Sequence, residues 1–178
     1  MARVISVHRQ RDHQFSKSPE QQITLIAGEG VQGDAHRGQT VKHRSRVARD
    51  PDQPNLRQVH LLHEELLDEL RTQSFRIHPG DIGENILTRD LALLDLPEGT
   101  LLRIGEQAKL RITGLRNPCR QLNDFAPGLT DAVLARGPQG ELVRKAGVMA
   151  VVENGGVVKA GDAISTELPE NGKPLEPV

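Results

Sequence analysis

The chain has 178 residues and a formal net charge of −1, enough for one domain with its own core and without overall attraction to nucleic acid or a membrane surface. It contains no Trp, no Tyr and three Phe, too few aromatic platforms for sequence-tolerant single-strand binding, and its one cysteine excludes an intramolecular disulfide. With no apolar run of membrane-spanning length and no secretion segment at the N-terminus, a cytoplasmic location is expected.

Short apolar runs bounded by glycine outnumber helical patterns. Residues 4–7, 23–26, 59–62, 101–104, 110–113 and 148–152 read as strands. Gly105 marks a turn between two of them, and the Asn154-Gly155 pair predicts a tight hairpin over residues 153–158. Two helices are predicted: residues 63–72, with Leu66, Leu67 and Leu70 on one face, and residues 130–136, capped by Thr130 and stopped by Gly137. Many short strands with few helices favour a mainly β fold, a closed or nearly closed barrel, over a βαβ sheet. A single domain over residues 1–168 is expected. Residues 44–55 and the tail over residues 169–178 read as mobile.

Four stretches carry possible chemistry. Gly28, Gly30 and Gly33 match a dinucleotide-binding fingerprint, but the third glycine is followed by Asp34, Ala35, His36, Arg37 and Gly38 rather than by an apolar-faced helix. Those glycines suit either a plain turn or a sharp bend that presents Asp34, His36 and Arg37 to a ligand. The basic run of Lys42, His43, Arg44, Arg46 and Arg49 suits solvated loop surface better than a phosphate-steering patch. Around Gly80 and Gly83, Glu84 and Asn85 suit a polar heterocycle or a self-bonded turn. His60 and His63 form no recognised zinc motif, and serine-hydrolase elbows and phosphate-binding P-loops are absent.

Cys119 is the residue with the richest chemistry. It follows Asn117 and Pro118, which suit a helix cap and first turn, and it lies between Arg116 and Arg120. That setting fits a thiolate that acts as nucleophile or metal ligand; a buried, inert thiol is the alternative.

Gly33 to Gly38, Gly80 to Asn85, Asn117 to Asn123, and Lys145 to Val152 leading to Asp162 together resemble, in order, the MOSC domain, the C-terminal domain of molybdenum cofactor sulfurases. The resemblance runs from about Val4 to Ile164 and implies a barrel-like β fold that binds a molybdenum-pterin cofactor. By motif position Cys119 is the cysteine that carries persulfide sulfur or ligates the metal. The matching loops imply cofactor contacts for Asp34, His36, Arg37, Glu84, Asn85, Arg116, Asn117, Arg120 and Asn123, with loop ordering as a second role for Glu84 and Asn85. Pyridoxal phosphate enters only through larger relatives, whose cysteine desulfurase domain is not seen in this sequence. Sulfur is therefore expected from an external donor such as a cysteine desulfurase, or electrons from an external donor. Where many relatives place an aromatic after Ala-Gly-Val, this chain has Met149. The resemblance leaves three activities: reduction of N-hydroxylated compounds, persulfide transfer, and storage or delivery of the cofactor.

Overall fold

The computed structural model describes residues 1–40, 48–50 and 52–178. Lys42, His43, Arg44 and Arg46 lie outside the described residues, and Arg49 is exposed. Thirteen strands are described: β1 (Arg3–Arg9), β2 (Ser18–Glu20), β3 (Gln22–Ile26), β4 (Gly30–Val31), β5 (Val59–His63), β6 (Ile86–Arg89), β7 (Leu101–Ile104), β8 (Ala108–Leu115), β9 (Leu134–Arg136), β10 (Leu142–Arg144), β11 (Val148–Asn154), β12 (Gly156–Lys159) and β13 (Ile164–Glu167). The helices are α1 (Glu64–Thr72), a 3-10 turn (Leu93–Asp95), α2 (Gln121–Phe125) and α3 (Leu129–Ala132). All six expected strands and the first helix are present, each within a few residues of its expected ends.

The main sheet has eight strands in the order β13-β7-β8-β11-β5-β6-β1-β2, antiparallel except for the β5–β6 pair. It is mainly β as expected but is not a closed barrel. The sheet curls until a single bridge, Arg3 to Ala163, joins β1 to the residues before β13, supported by Val4 N–H to Asp162 O at 2.9 Å and Ile164 N–H to Ala2 O at 2.9 Å.

Side chains alternate across a strand, so strands buried on both faces lose the alternating pattern and read as apolar runs. Leu61 and Ile86 point into an inner core with Val59, Leu110, Val148 and Ala150, while Leu62 and Leu87 point to an outer core. There they meet Leu66, Leu67 and Leu70 of α1 together with Leu122 and Leu129. Glu64 and Glu65 in the first turn of α1 and Arg71 in its last complement the helix dipole.

Three local expectations are overturned. Asn154-Gly155 makes no hairpin: β12 pairs with β3, so the chain leaves the main sheet at Gly155 and enters a three-stranded sheet. A Cβ on Gly155 would stand 2.7 Å from Leu25 O, so close backbone approach rather than turn geometry demands the glycine. The helix over residues 130–136 shrinks to α3, capped by Gly128 with φ +86°, and residues 134–136 form β9, paired with β10. The tail over residues 169–178 is docked. Leu115 N–H donates to Glu176 O at 2.8 Å, Val178 N–H donates to Leu115 O at 3.1 Å, and Leu175 packs on the inner core. These bonds occupy the edge of β8 that its partners leave free, and the bare Cα of Gly114 makes room for Glu176 O and a Val178 methyl.

Gly114→Val is expected to dislodge residues 176–178 and to cost about 1–3 kcal/mol through overpacking. Thermal unfolding should register the loss, and hydrogen exchange should show faster exchange at Leu115 and Val178 with little change in α1.

Candidate functional site

The ends of β5, β8 and β11 lie side by side, with Met149 opposite both His60 and Gly114. Met149 and His60 stand on the face turned away from the inner core, and there they help line a cavity of about 540 Å³. Its other walls come from loops: Phe15 and Lys17 before β2, His36 after β4, Gly83 and Asn85 before β6, and Arg116, Asn117 and Cys119 after β8. Val178 closes one side. Arg57 also lines the cavity.

Cys119 is half-buried on this wall, and its thiol donates to Gln121 Oε1 at 3.6 Å. It is not set on a helix N-terminus through Asn117 and Pro118, as the sequence suggested: residues 116–119 have no regular secondary structure, α2 starts at Gln121 after Arg120, and Asn117 Oδ1 accepts from Arg144 Nε at 3.1 Å. Pro118 thus lies in an irregular loop and does not open a helix.

Behind the wall lies a polar network. Lys17 Nζ, almost wholly buried, donates to Asp34 Oδ2 at 3.0 Å and lies 3.5 Å from His36 Nδ1. Burial pushes the Asp34 carboxyl upward, but the His36 hydrogen bond and the Lys17 charge outweigh it and hold the group below the usual carboxylate range. Burial lowers Lys17 and His36 against the opposing pull of Asp34. Asn85 ties three segments together: its Nδ2 donates to His8 O at 3.1 Å and to Asp34 Oδ1 at 3.3 Å, and its Oδ1 accepts from His60 N–H at 3.1 Å. His60 Nε2 donates to Ala146 O at 2.7 Å, and burial drives this ring well below its ordinary value, so it is neutral.

The structure brings His36, Asn85, Arg116, Asn117 and Cys119 to the cavity, with Asp34 one bond behind them. Arg37, Glu84, Arg120 and Asn123 do not line it. Arg37 is engaged by Glu29, with Nε to Oε2 at 2.8 Å, because the Gly28 and Gly30 bend folds the β3–β4 turn back on itself. Asn123 Oδ1 accepts the Thr130 N–H at 2.9 Å, and Arg120 is exposed. Glu84 is wholly buried: Oε1 accepts the Gly80 N–H at 2.5 Å, which ties it into its own loop, and Oε2 has no partner among the described residues. His60 and His63 stand three residues apart on β5 and so face opposite sides of the sheet.

Sequence reasoning passed over Phe15, Lys17 and Arg57. A lone lysine in a polar stretch gives no local signal; the demand for a cation arises only when folding buries Asp34 beside it.

The chain matches the MOSC domain model over residues 12–165 and belongs to the MOSC domain family. It is similar in structure to the YuaD protein from Bacillus subtilis, at 23% identity and TM-score 0.77 over 96% of this chain and 98% of that one. YiiM from Geobacillus stearothermophilus aligns at 16% identity and TM-score 0.65, covering 94% of this chain and 75% of that chain. YiiM from Escherichia coli aligns at 20% identity and TM-score 0.62, covering 95% and 71%. At these identities the likenesses show the shared fold. No curated protein matches the sequence. None of the described helices is long and apolar enough to cross a membrane.

Glu84 and His8 make opposing contributions to stability. Burial raises Glu84 from 4.5 to about 7, so between those values the folded protein keeps a proton that the unfolded chain releases, and the contribution is lost as pH rises. Burial lowers His8 from 6.5 to about 4, so its contribution is lost as pH falls through that window. Glu84→Gln should therefore make unfolding free energy rise more steeply with pH between 4.5 and 6.5, by up to about 3 kcal/mol in all. Urea melts at closely spaced pH values measure that slope; an unchanged slope would refute the opposition.

Proposed function

We propose that this chain binds a molybdenum-pterin cofactor in the 540 Å³ cavity, with the Cys119 sulfur as a protein ligand to molybdenum. The observation that carries the reading is the make-up of the wall. A thiol, Lys17, Arg57 and Arg116 converge there, and no Asp or Glu is among the residues that line it. The donor set fits the group. A soft sulfur suits a thiophilic metal, and buried cations suit the phosphate of the pterin. Phe15 and Met149 offer apolar surface to a flat heterocycle, and Asn85 and Asn117 offer amides at its edge.

When bound, the cofactor supplies a redox centre able to accept and deliver an electron pair. The chain's own residues do the rest. Lys17 and Arg57 hold the anionic end of the cofactor, and Cys119 orients the metal from the loop after β8. His36, paired with Asp34, stands at the cavity as a group able to hold or release a proton. The activity we assign is reduction of N-hydroxylated compounds, with electrons from an external donor. A half-buried thiol facing an open cavity also suits persulfide transfer from an external sulfur donor, and a cofactor carrier without chemistry is the third reading. A cytoplasmic setting belongs to the same proposal, because a free reactive thiol persists best in a reducing compartment.

Protein purified from a host that makes the cofactor is expected to carry near-stoichiometric molybdenum by elemental analysis, and Cys119→Ser is expected to lose most of it. Metal-free protein with a one-sulfur mass adduct on Cys119 would favour sulfur transfer. Full molybdenum retained in the serine variant would favour the carrier.

A further inference from the structure

We infer that Val178 is a specificity-determining residue: its side chain, brought in by the docked residues 176–178, sets the width of the cavity beside Met149 and limits the size of ligand admitted there. The inference rests on the reading of this cavity as the ligand site, but it is tested without molybdenum.

Its starting point is an irregularity in β8. Val148 pairs with Leu115 and Met149 with Gly114, but Ala150 pairs with Ile112, so Thr113 is an extra residue bulged out of the ladder. A hydrogen bond from Thr113 Oγ1 to Leu56 O at 2.5 Å holds the bulge. Ile112 and Ala150 face the inner core. One inserted residue reverses the alternation of faces, which turns Gly114 to the cavity face next to Met149. At that position β8 offers the cavity no side chain. Val178 supplies one: it lines the cavity, and a Cβ on Gly114 would meet a Val178 methyl at 2.5 Å.

This wall is built differently from its neighbours. Phe15, Met149 and Val178 are the large apolar side chains among the residues that line the cavity. The Phe15 ring packs against the Arg116 guanidinium and the Phe125 ring, and Met149 lies in β11 with a paired strand on each side. Val178 is placed by backbone register alone, through the Leu115 N–H bond to Glu176 O and its own N–H bond to Leu115 O. Glu176 and Pro177 are exposed, and Pro177, opposite Leu115 in a parallel bridge, has no N–H with which to extend the pairing. One side chain is therefore set over Gly114, and changing it alters the width of the cavity without altering β8, β11 or the cysteine loop. A β-branched wall is stiff and offers no hydrogen bond, so on this side it sorts ligands by shape and not by charge. Flat or compact groups pass, and bulky substituents collide with it.

The single cysteine serves as the reporter. Full-length, cofactor-free protein is treated at one fixed pH with N-ethylmaleimide or with N-(1-pyrenyl)maleimide, and the rate of Cys119 alkylation is read by intact mass. The ratio of the pyrenyl to the ethyl rate cancels the reactivity of the thiol, which both reagents share, and leaves the effect of size. Val178→Ala is expected to raise this ratio at least about fivefold, and Val178→Phe to lower it at least about fivefold. Hydrogen exchange at Leu115, whose N–H is bonded to Glu176 O, shows whether the tail is still docked in each variant. A ratio that does not rise in the alanine variant, or that moves the same way in both docked variants, would overturn the inference. Where the larger side chain dislodges the tail, the alanine variant decides alone. Molybdenum content is scored separately on protein from a cofactor-producing host, so failure of the cofactor reading and failure of the Val178 role give different results.

Discussion

One side-chain amide carries the geometry of the site. Asn85 joins β1, β5 and the loop after β4 through three hydrogen bonds, and through Asp34 it fixes Lys17. Each bond is worth about 1 kcal/mol net, but removing the amide would leave several buried partners unmatched, which costs more than the bonds themselves. The network is buried and mutually satisfied, so the loops it joins have one arrangement rather than several. That arrangement turns the cationic groups of three loops towards the same space as the Cys119 sulfur.

The sheet explains why this happens at one end of the fold. β5 and β11 place His60 and Met149 on the same face, β8 ends at Leu115, and the chain then passes directly into Arg116 and Cys119. Gly114 and Gly147 flank this passage, and both sit where a Cβ would collide with backbone: Glu176 in one case, Leu61 in the other. The docked residues 176–178 hold the otherwise free edge of β8 and bring Val178 to the cavity. The cysteine loop is thus anchored from both sides at its root while its sulfur remains partly open. A rigid base with a reachable sulfur is the arrangement that metal ligation or group transfer requires.

Much of the fold was legible in the sequence because its strands are buried on one or both faces and therefore write apolar runs. Leu66, Leu67 and Leu70 wrote the first helix in the same way. The errors came where tertiary contacts override local signals. Asn154-Gly155 has hairpin chemistry, yet β12 finds β3 a better partner than β11. Thr130 has capping chemistry, yet residues 134–136 pair with β10 before a second turn of helix forms. Residues 169–178 are polar and proline-rich, and only the free edge of β8 reveals why they dock. Within the site, Cys119, His36 and Asn85 stood out from motif and composition. Arg37 did not reach the cavity because Glu29, eight residues away, lies nearer to it than the ligand space does. Arg116 and Arg120 look alike in sequence, and only burial separates them.

The central claim is that these loops build one cationic, sulfur-bearing cavity for a molybdenum-pterin group. An anomalous-difference map collected at the molybdenum edge, from crystals of protein purified out of a cofactor-producing host, tests it most directly. The account predicts a single peak inside the cavity, against Cys119 Sγ and within reach of the Asn85 loop. A molybdenum peak elsewhere on the molecule, or one in the cavity with Cys119 turned away from it, would contradict the account.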